Sequence, residues 1–127
     1  MAIKWEHIDN WRTFSRTFAI EVSRHNKYPE GNGWSIYVYI YRSHPLFSKI
    51  IGTPHYEDAI TDMPLHGGPT FFRYHYDRDK IESIQVGCDY SHYGDAYFAK
   101  NQTKEEAVVQ FDDAAILYDW METYGRD

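Results

Sequence analysis

The chain has 127 residues, with 13 basic against 19 acidic side chains and a net charge of −6. That size makes one domain, residues 1–127, with its own core the expectation, and the acidic balance disfavours duplex nucleic acid while suiting a partner with a basic surface. A lone cysteine, Cys88, excludes an internal disulfide and a zinc knuckle, no apolar run is long enough to span a bilayer, and MAIKWEHIDNW lacks the apolar core of a signal peptide, so the expectation is a soluble cytoplasmic protein without membrane contact.

In chain order, Trp5, Ile8 and Trp11 recur every third residue within Lys4–Phe14, which predicts a short helical turn laying aromatics on the body. From Thr17 to His25 the pattern alternates, Phe18, Ile20 and Val22 on one face and Glu21 and Ser23 on the other, as in a half-buried strand. The proline and glycines of Asn26–Gly33 predict the turn of a hairpin. Its second strand, Trp34–Tyr41, sets Trp34, Ile36, Val38 and Ile40 against Tyr37, Tyr39 and Tyr41, giving the sheet an aliphatic side and a tyrosine side. His44-Pro45 ends that strand, because proline cannot donate to the ladder. Leu46–Ile51 opens a long connection, and Gly52–Pro64 shows no period and predicts an irregular loop.

His66-Gly67-Gly68-Pro69 predicts a turn in which the glycines supply positive φ, followed by an extended Thr70–Tyr76 and a charged turn over Asp77–Ser83. Ile84, Val86 and Cys88 then alternate with Gln85, Gly87 and Asp89, so Asp89 points away from the aliphatic side. Thr103 with Glu106 has the pattern of a capping box. Beyond it Val108, Phe111, Ala115, Tyr118 and Glu122, with Ala107, Ala114 and Met121 beside them, form a helical stripe. One helix is predicted from Thr103 to about Tyr124, stopped at Gly125, with Asp112, Asp113, Asp119 and Glu122 as a solvated face. The fold class is α+β, an antiparallel sheet of at least four strands with the C-terminal amphipathic helix packed on its aliphatic face.

With 12 tyrosines and 7 histidines, the chain is rich in side chains that join an apolar body to a polar tip, as a recognition surface needs; the same tyrosines also suit the exposed face of any sheet. The polar groups fit for chemistry gather at the two ends of Leu65–Asp95. His66, with His44 from a neighbouring turn, and Asp89, His92 and Asp95 form a mixed set that suits a divalent metal, and with an open coordination position would activate water for hydrolysis. The alternatives are side-chain to backbone hydrogen bonds that simply hold the turns, or a metal-free pocket. Tyr37, Tyr39 and Tyr41 offer a second kind of site, an aromatic platform on which the base of a small nucleotide would stack while a histidine or Arg73 meets its phosphate. Ser91 beside His92 lacks the elbow of a serine hydrolase, and Cys88 belongs to the aliphatic set.

The succession YVYIYRSHPLF, LHGGPTFF, IQVGCDYSHYGD and a terminal helix, over roughly 33–124, resembles a family of small phage and prophage proteins. Members carry a strand ending in His-Pro, an HGG-(I/L/P)-T turn and a G-F-D-C-x-H-x-G-D segment. The resemblance makes His44, His66, Gly67, Gly68, Asp89, His92, Gly94 and Asp95 the motif positions. The family's Phe and Cys around the first Asp are here Cys88 and Tyr90, so a thiol at the second of them is absent. The resemblance implies a viral or prophage origin and no defined chemistry. The expected function is that of a phage-type accessory protein, acting in the host cytoplasm by binding and modulating or inhibiting a host (defence) factor. The alternative is a small metal-dependent hydrolase or nucleotide-binding protein using the His/Asp site.

Overall fold

The computed structural model describes residues 3–28, 31–90 and 100–125. Six strands, β1 (Glu6–His7), β2 (Trp11–Phe14), β3 (Phe18–Tyr28), β4 (Gly31–Tyr41), β5 (Phe71–Asp77) and β6 (Lys80–Asp89), form one antiparallel sheet in the order β1-β2-β3-β4-β6-β5. Among the described residues three α-helices, α1 (Pro45–Ile51), α2 (Tyr56–Ile60) and α3 (Val108–Thr123), complete the α+β fold. The aliphatic side of the sheet is the core, with Phe18, Ile20 and Val22 of β3, Trp34, Ile36, Val38 and Ile40 of β4 and Ile84, Val86 and Cys88 of β6 all buried. Alternation predicts this set because successive side chains of a strand point to opposite faces.

The N-terminal helical turn is not formed. Residues Glu6 and His7 pair with Arg12 and Trp11, and β2 pairs in turn with β3, Trp11 opposite Val22 and Arg12 opposite Glu21. Trp11 and Thr13 are buried while Arg12 and Phe14 are exposed. Apolar residues three apart fit a helix, but the open edge of β3 offers ladder hydrogen bonds to a chain that extends, and this segment takes them. The charged turn is also shorter than expected: β6 already begins at Lys80, and only Arg78 and Asp79 connect the strands, Arg78 in the left-handed region at φ 58°.

The connection after β4 contains α1 and α2, not an unbroken irregular loop. His44-Pro45 is the start of a helix as well as the end of a strand. Proline stands at the first helical turn, where its missing N–H is not needed, and the His44 ring caps the helix, Nδ1 accepting from the Leu46 amide at 3.0 Å. Leu46 and Ile50, one turn apart, are buried. The other ring nitrogen, Nε2, donates to the Met121 carbonyl of α3 at 2.8 Å. His44 is therefore a buried post joining two helices, with no ring nitrogen left for a ligand.

That role has a pH signature. Burial, outweighing the Met121 carbonyl and the Glu122 charge, holds the His44 pKa below its ordinary 6.5, since the charged ring is poorly solvated there and would lose its acceptor. The unfolded chain then takes up the proton first, so this contribution is complete above about pH 6.5 and is lost as the pH falls below it. His44→Asn keeps a capping oxygen but cannot titrate. Urea unfolding at pH 7.5 and 5.5 should show a greater loss on acidification in the parent than in this variant; equal losses would show that His44 does not titrate on unfolding.

The terminal helix packs on the aliphatic side, with two differences from expectation. Thr103 and Glu106 form one half of a capping box, the Glu106 amide donating to Thr103 Oγ1 at 3.2 Å; in place of the other half, a bond from the Thr103 backbone N–H, the Thr103 hydroxyl donates to Glu106 Oε1 at 3.1 Å. They close a separate turn, and α3 itself begins at Val108. Its buried residues are Gln110, Ala114, Leu117 and Met121, while Val108 and Ile116 are exposed and Phe111 and Tyr118 flank the core. The stripe is rotated by about one residue, roughly 100°, from the one predicted. The acidic residues divide as well. Asp112 and Asp119 are exposed, whereas Asp113 accepts from the Tyr90 hydroxyl at 2.5 Å and Glu122 from Ser15 Oγ at 2.5 Å.

Candidate functional site

Among the described residues no helix lies on the other face of the sheet, where the alternate residues of five strands meet. Cross-strand pairing places Arg12 beside Glu21, Glu21 beside Tyr37, Tyr39 beside Gln85, and Gln85 beside Arg73. Tyr37, Tyr39 and Tyr41 are each partly buried and run down the middle strand of this surface. The tyrosine side read from the sequence is thus the open face of the sheet.

At its centre Glu21 is only 5% exposed. Its Oε2 accepts from Arg12 Nε at 2.6 Å, and its Oε1 accepts from the Ser23 hydroxyl at 3.2 Å and more distantly from the Tyr39 hydroxyl at 3.5 Å. A buried carboxylate needs such partners, because unpaired it would be strongly destabilising. Burial first, and then the Glu21 charge, push the Tyr39 hydroxyl up to about 12. Tyr39 is therefore a protonated donor at any physiological pH, unsuited to act as a base. Beside it His75 Nε2 donates to Gln85 Oε1 at 2.7 Å, and the rings of His75 and Tyr39 lie 5.8 Å apart. A shallow cleft of about 230 Å³ opens between Arg12, Phe14, Tyr39 and Tyr41, with Ala19 and Ser83 in its lining.

Tyr37 is seated by an absence. Its ring covers Gly87, where an added Cβ would meet Tyr37 Cδ1 at 2.4 Å and the Ile36 carbonyl oxygen at 2.5 Å. The Phe71 ring closes the far side edge-on at 5.3 Å. Gly87→Ala must displace the ring or the strand, and a cost of about 1–3 kcal/mol, typical of overpacking, is expected in denaturant unfolding. An unchanged midpoint would show that Tyr37 does not rest on Gly87.

The motif residues lie elsewhere. The His-Gly-Gly turn is made as its glycines predict: Gly68 N–H bonds to the Leu65 carbonyl at 2.9 Å, with φ of 71° at Gly67 and 82° at Gly68. The turn docks on the end of β6, where the His66 ring stacks on Tyr90 at 4.3 Å and the Tyr90 hydroxyl continues to Asp113 of α3. Alternation along β6 turns Cys88 and Tyr90 to the helix side and Asp89, paired opposite Ser35, to the open side. His66 is thus drawn to the side of the sheet away from the Asp89 side chain. His92, Gly94 and Asp95 lie outside the described residues, so the predicted approach of His66 to that loop is followed only as far as Tyr90. Among the described residues no three His, Cys, Asp or Glu side chains are grouped to hold a metal ion. Cys88 is buried and its thiol is pushed up to about 12, mainly by burial, so it is a core residue and a poor nucleophile.

Comparison with known proteins gave no matching family model, no matching curated protein and no matching solved structure. Among the described residues no helix is long and apolar enough to cross a membrane. Arg12, Glu21, Phe71 and His75 were not singled out in the sequence as members of one surface. Alternation could place Glu21 outward, but only strand order and register bring Arg12 to it and His75 to Tyr39.

Proposed function

We propose that this chain is a phage-type accessory protein that acts by binding a host factor, and that the open face of its sheet is the contact surface. The observation that carries the reading is the row Tyr37, Tyr39 and Tyr41 on a face that no helix among the described residues covers, flanked by Phe71, Arg12 and Arg73. Tyrosine and arginine are the residues enriched at interface hot spots, since rigid amphipathic rings give contact area at little entropic cost. The phage origin and the host partner rest on the motif resemblance and on the acidic charge, which favours a basic partner.

The test is capture of a host protein by the purified chain at low and high salt, followed by affinity measurement with the paired substitution Tyr39→Ala and Tyr41→Ala. Loss of two hot-spot rings should weaken binding by more than tenfold, about 1.4 kcal/mol per decade, with the circular dichroism spectrum unchanged. A partner that the folded variant binds equally well, or no partner at low salt, would count against this reading. A second reading, a small nucleotide on the same face, is favoured by the cleft between Arg12, Phe14, Tyr39 and Tyr41. Quenching of tyrosine fluorescence by added nucleotide, absent in the same variant, would support it.

A further inference from the structure

The strand β5 lies at the edge of the sheet: β6 takes one side, and among the described residues no strand pairs with the other. An edge presents a row of unpaired N–H and C=O groups, which proteins usually protect with proline, lysine, a bulge or a very short strand. The sequence of β5, FFRYHYD, has neither proline nor lysine and runs for seven residues. The irregularity between His75 and Tyr76 arises on β6, whose Glu82 is the extra residue, so β5 itself stays regular. Tyr76 is 60% exposed and Phe71 37%.

We infer that this edge pairs with β5 of a second copy, antiparallel, in the register that sets Arg73 of each copy opposite Asp77 of the other. A two-fold antiparallel pair puts one residue opposite itself on the axis and pairs the rest symmetrically about it. With Arg73 on the axis, two guanidinium groups face each other. With Tyr74 there, Arg73 meets His75 and Phe71 meets Asp77. With Phe72 there, Asp77 pairs with nothing, and with Tyr76 there the ladder shrinks to the last few residues.

Only His75 on the axis brings two Arg73–Asp77 pairs and two Tyr74–Tyr76 pairs together, and opposite charges and aromatic pairs are the cross-strand neighbours that stabilise a sheet. Within one copy the Tyr74 and Tyr76 rings already stand edge to face at 6.4 Å. The second copy extends that row on the helix side and covers Tyr76. On the other side the two open faces join into one surface, with the His75 pair at its middle. The pairing of two copies requires no host partner.

Sedimentation velocity of the full chain from micromolar to near-millimolar concentration tests it. The parent should pass from monomer to dimer. Arg73→Asp and Asp77→Arg, each alone, set like charges opposite and should weaken the dimer at least tenfold. An equimolar mixture of the two variants has opposite charges at every cross-strand pair, and the dimer should return. That restoration also shows that both variants are folded. A parent that stays monomeric throughout, a dimer that both variants retain, or a mixture that stays monomeric would overturn the inference.

Discussion

Trp34→Ala is expected to lower the unfolding free energy by about 3–5 kcal/mol, as large aromatic truncations in cores do, out of the roughly 5–15 kcal/mol a domain possesses. The side chain is fully buried. Its ring stacks on Trp11 at 5.7 Å and meets Phe111 edge-on at 6.4 Å, and its Nε1 donates to the Asn101 carbonyl at 3.0 Å. Asn101 in turn donates through Nδ2 to Gln110 Oε1 at 3.3 Å. One residue thereby joins β2, β4 and the segment that leads into α3. Truncation leaves a cavity and removes the bond from Nε1, two separate costs. Trp34→Phe keeps much of the ring but not the donor, and should cost less than the alanine variant, with about 0.5–1.5 kcal/mol of it from the lost hydrogen bond. Urea unfolding of both variants checks this, and a loss below about 1 kcal/mol for the alanine variant would place Trp34 outside the mechanisms that produce large effects.

The phase of α3 gives the second large effect. Leu117→Ala should cost about 2–5 kcal/mol, since Leu117 is fully buried. Its neighbour Ile116 is 56% exposed, and Ile116→Ala should stay within about 0.5 kcal/mol. The contrast between adjacent aliphatic residues reads the rotation of the helix directly. A larger loss at Ile116 than at Leu117 in the same unfolding experiment would mean that the helix presents another face to the sheet.

The tyrosine row on β4 was legible because backbone geometry alone sends Tyr37, Tyr39 and Tyr41 opposite to Ile36, Val38 and Ile40. The glycines of the His-Gly-Gly turn were legible for the same kind of reason, positive φ being a local property of the residue. Less of the site could be read. The pairing of Arg12 with Glu21 depends on β2 lying beside β3, and Arg12 stood in a segment whose apolar spacing favoured a helical turn. His44 has a different part from the one expected: a histidine before a proline serves as the cap of α1, and its second nitrogen meets Met121 far along the chain.

What the sequence by itself determined is the two-sidedness of β3, β4 and β6, the presence of a helix near the C-terminus, and the acidic charge. Each is a local or summed property, set by a period of two, a period near 3.6, or a count. What only the tertiary structure decided is which way α3 rolls, that the N-terminal segment extends instead of coiling, that His66 stacks on Tyr90 while Asp89 turns to the other side, and that Glu21 sits buried among Arg12, Ser23 and Tyr39. A helix with apolar residues on several faces, such as Val108, Phe111, Ile116 and Leu117, has more than one face that could turn to the sheet. The choice among them, like the register between strands distant in sequence, is made by the surface that each element packs against.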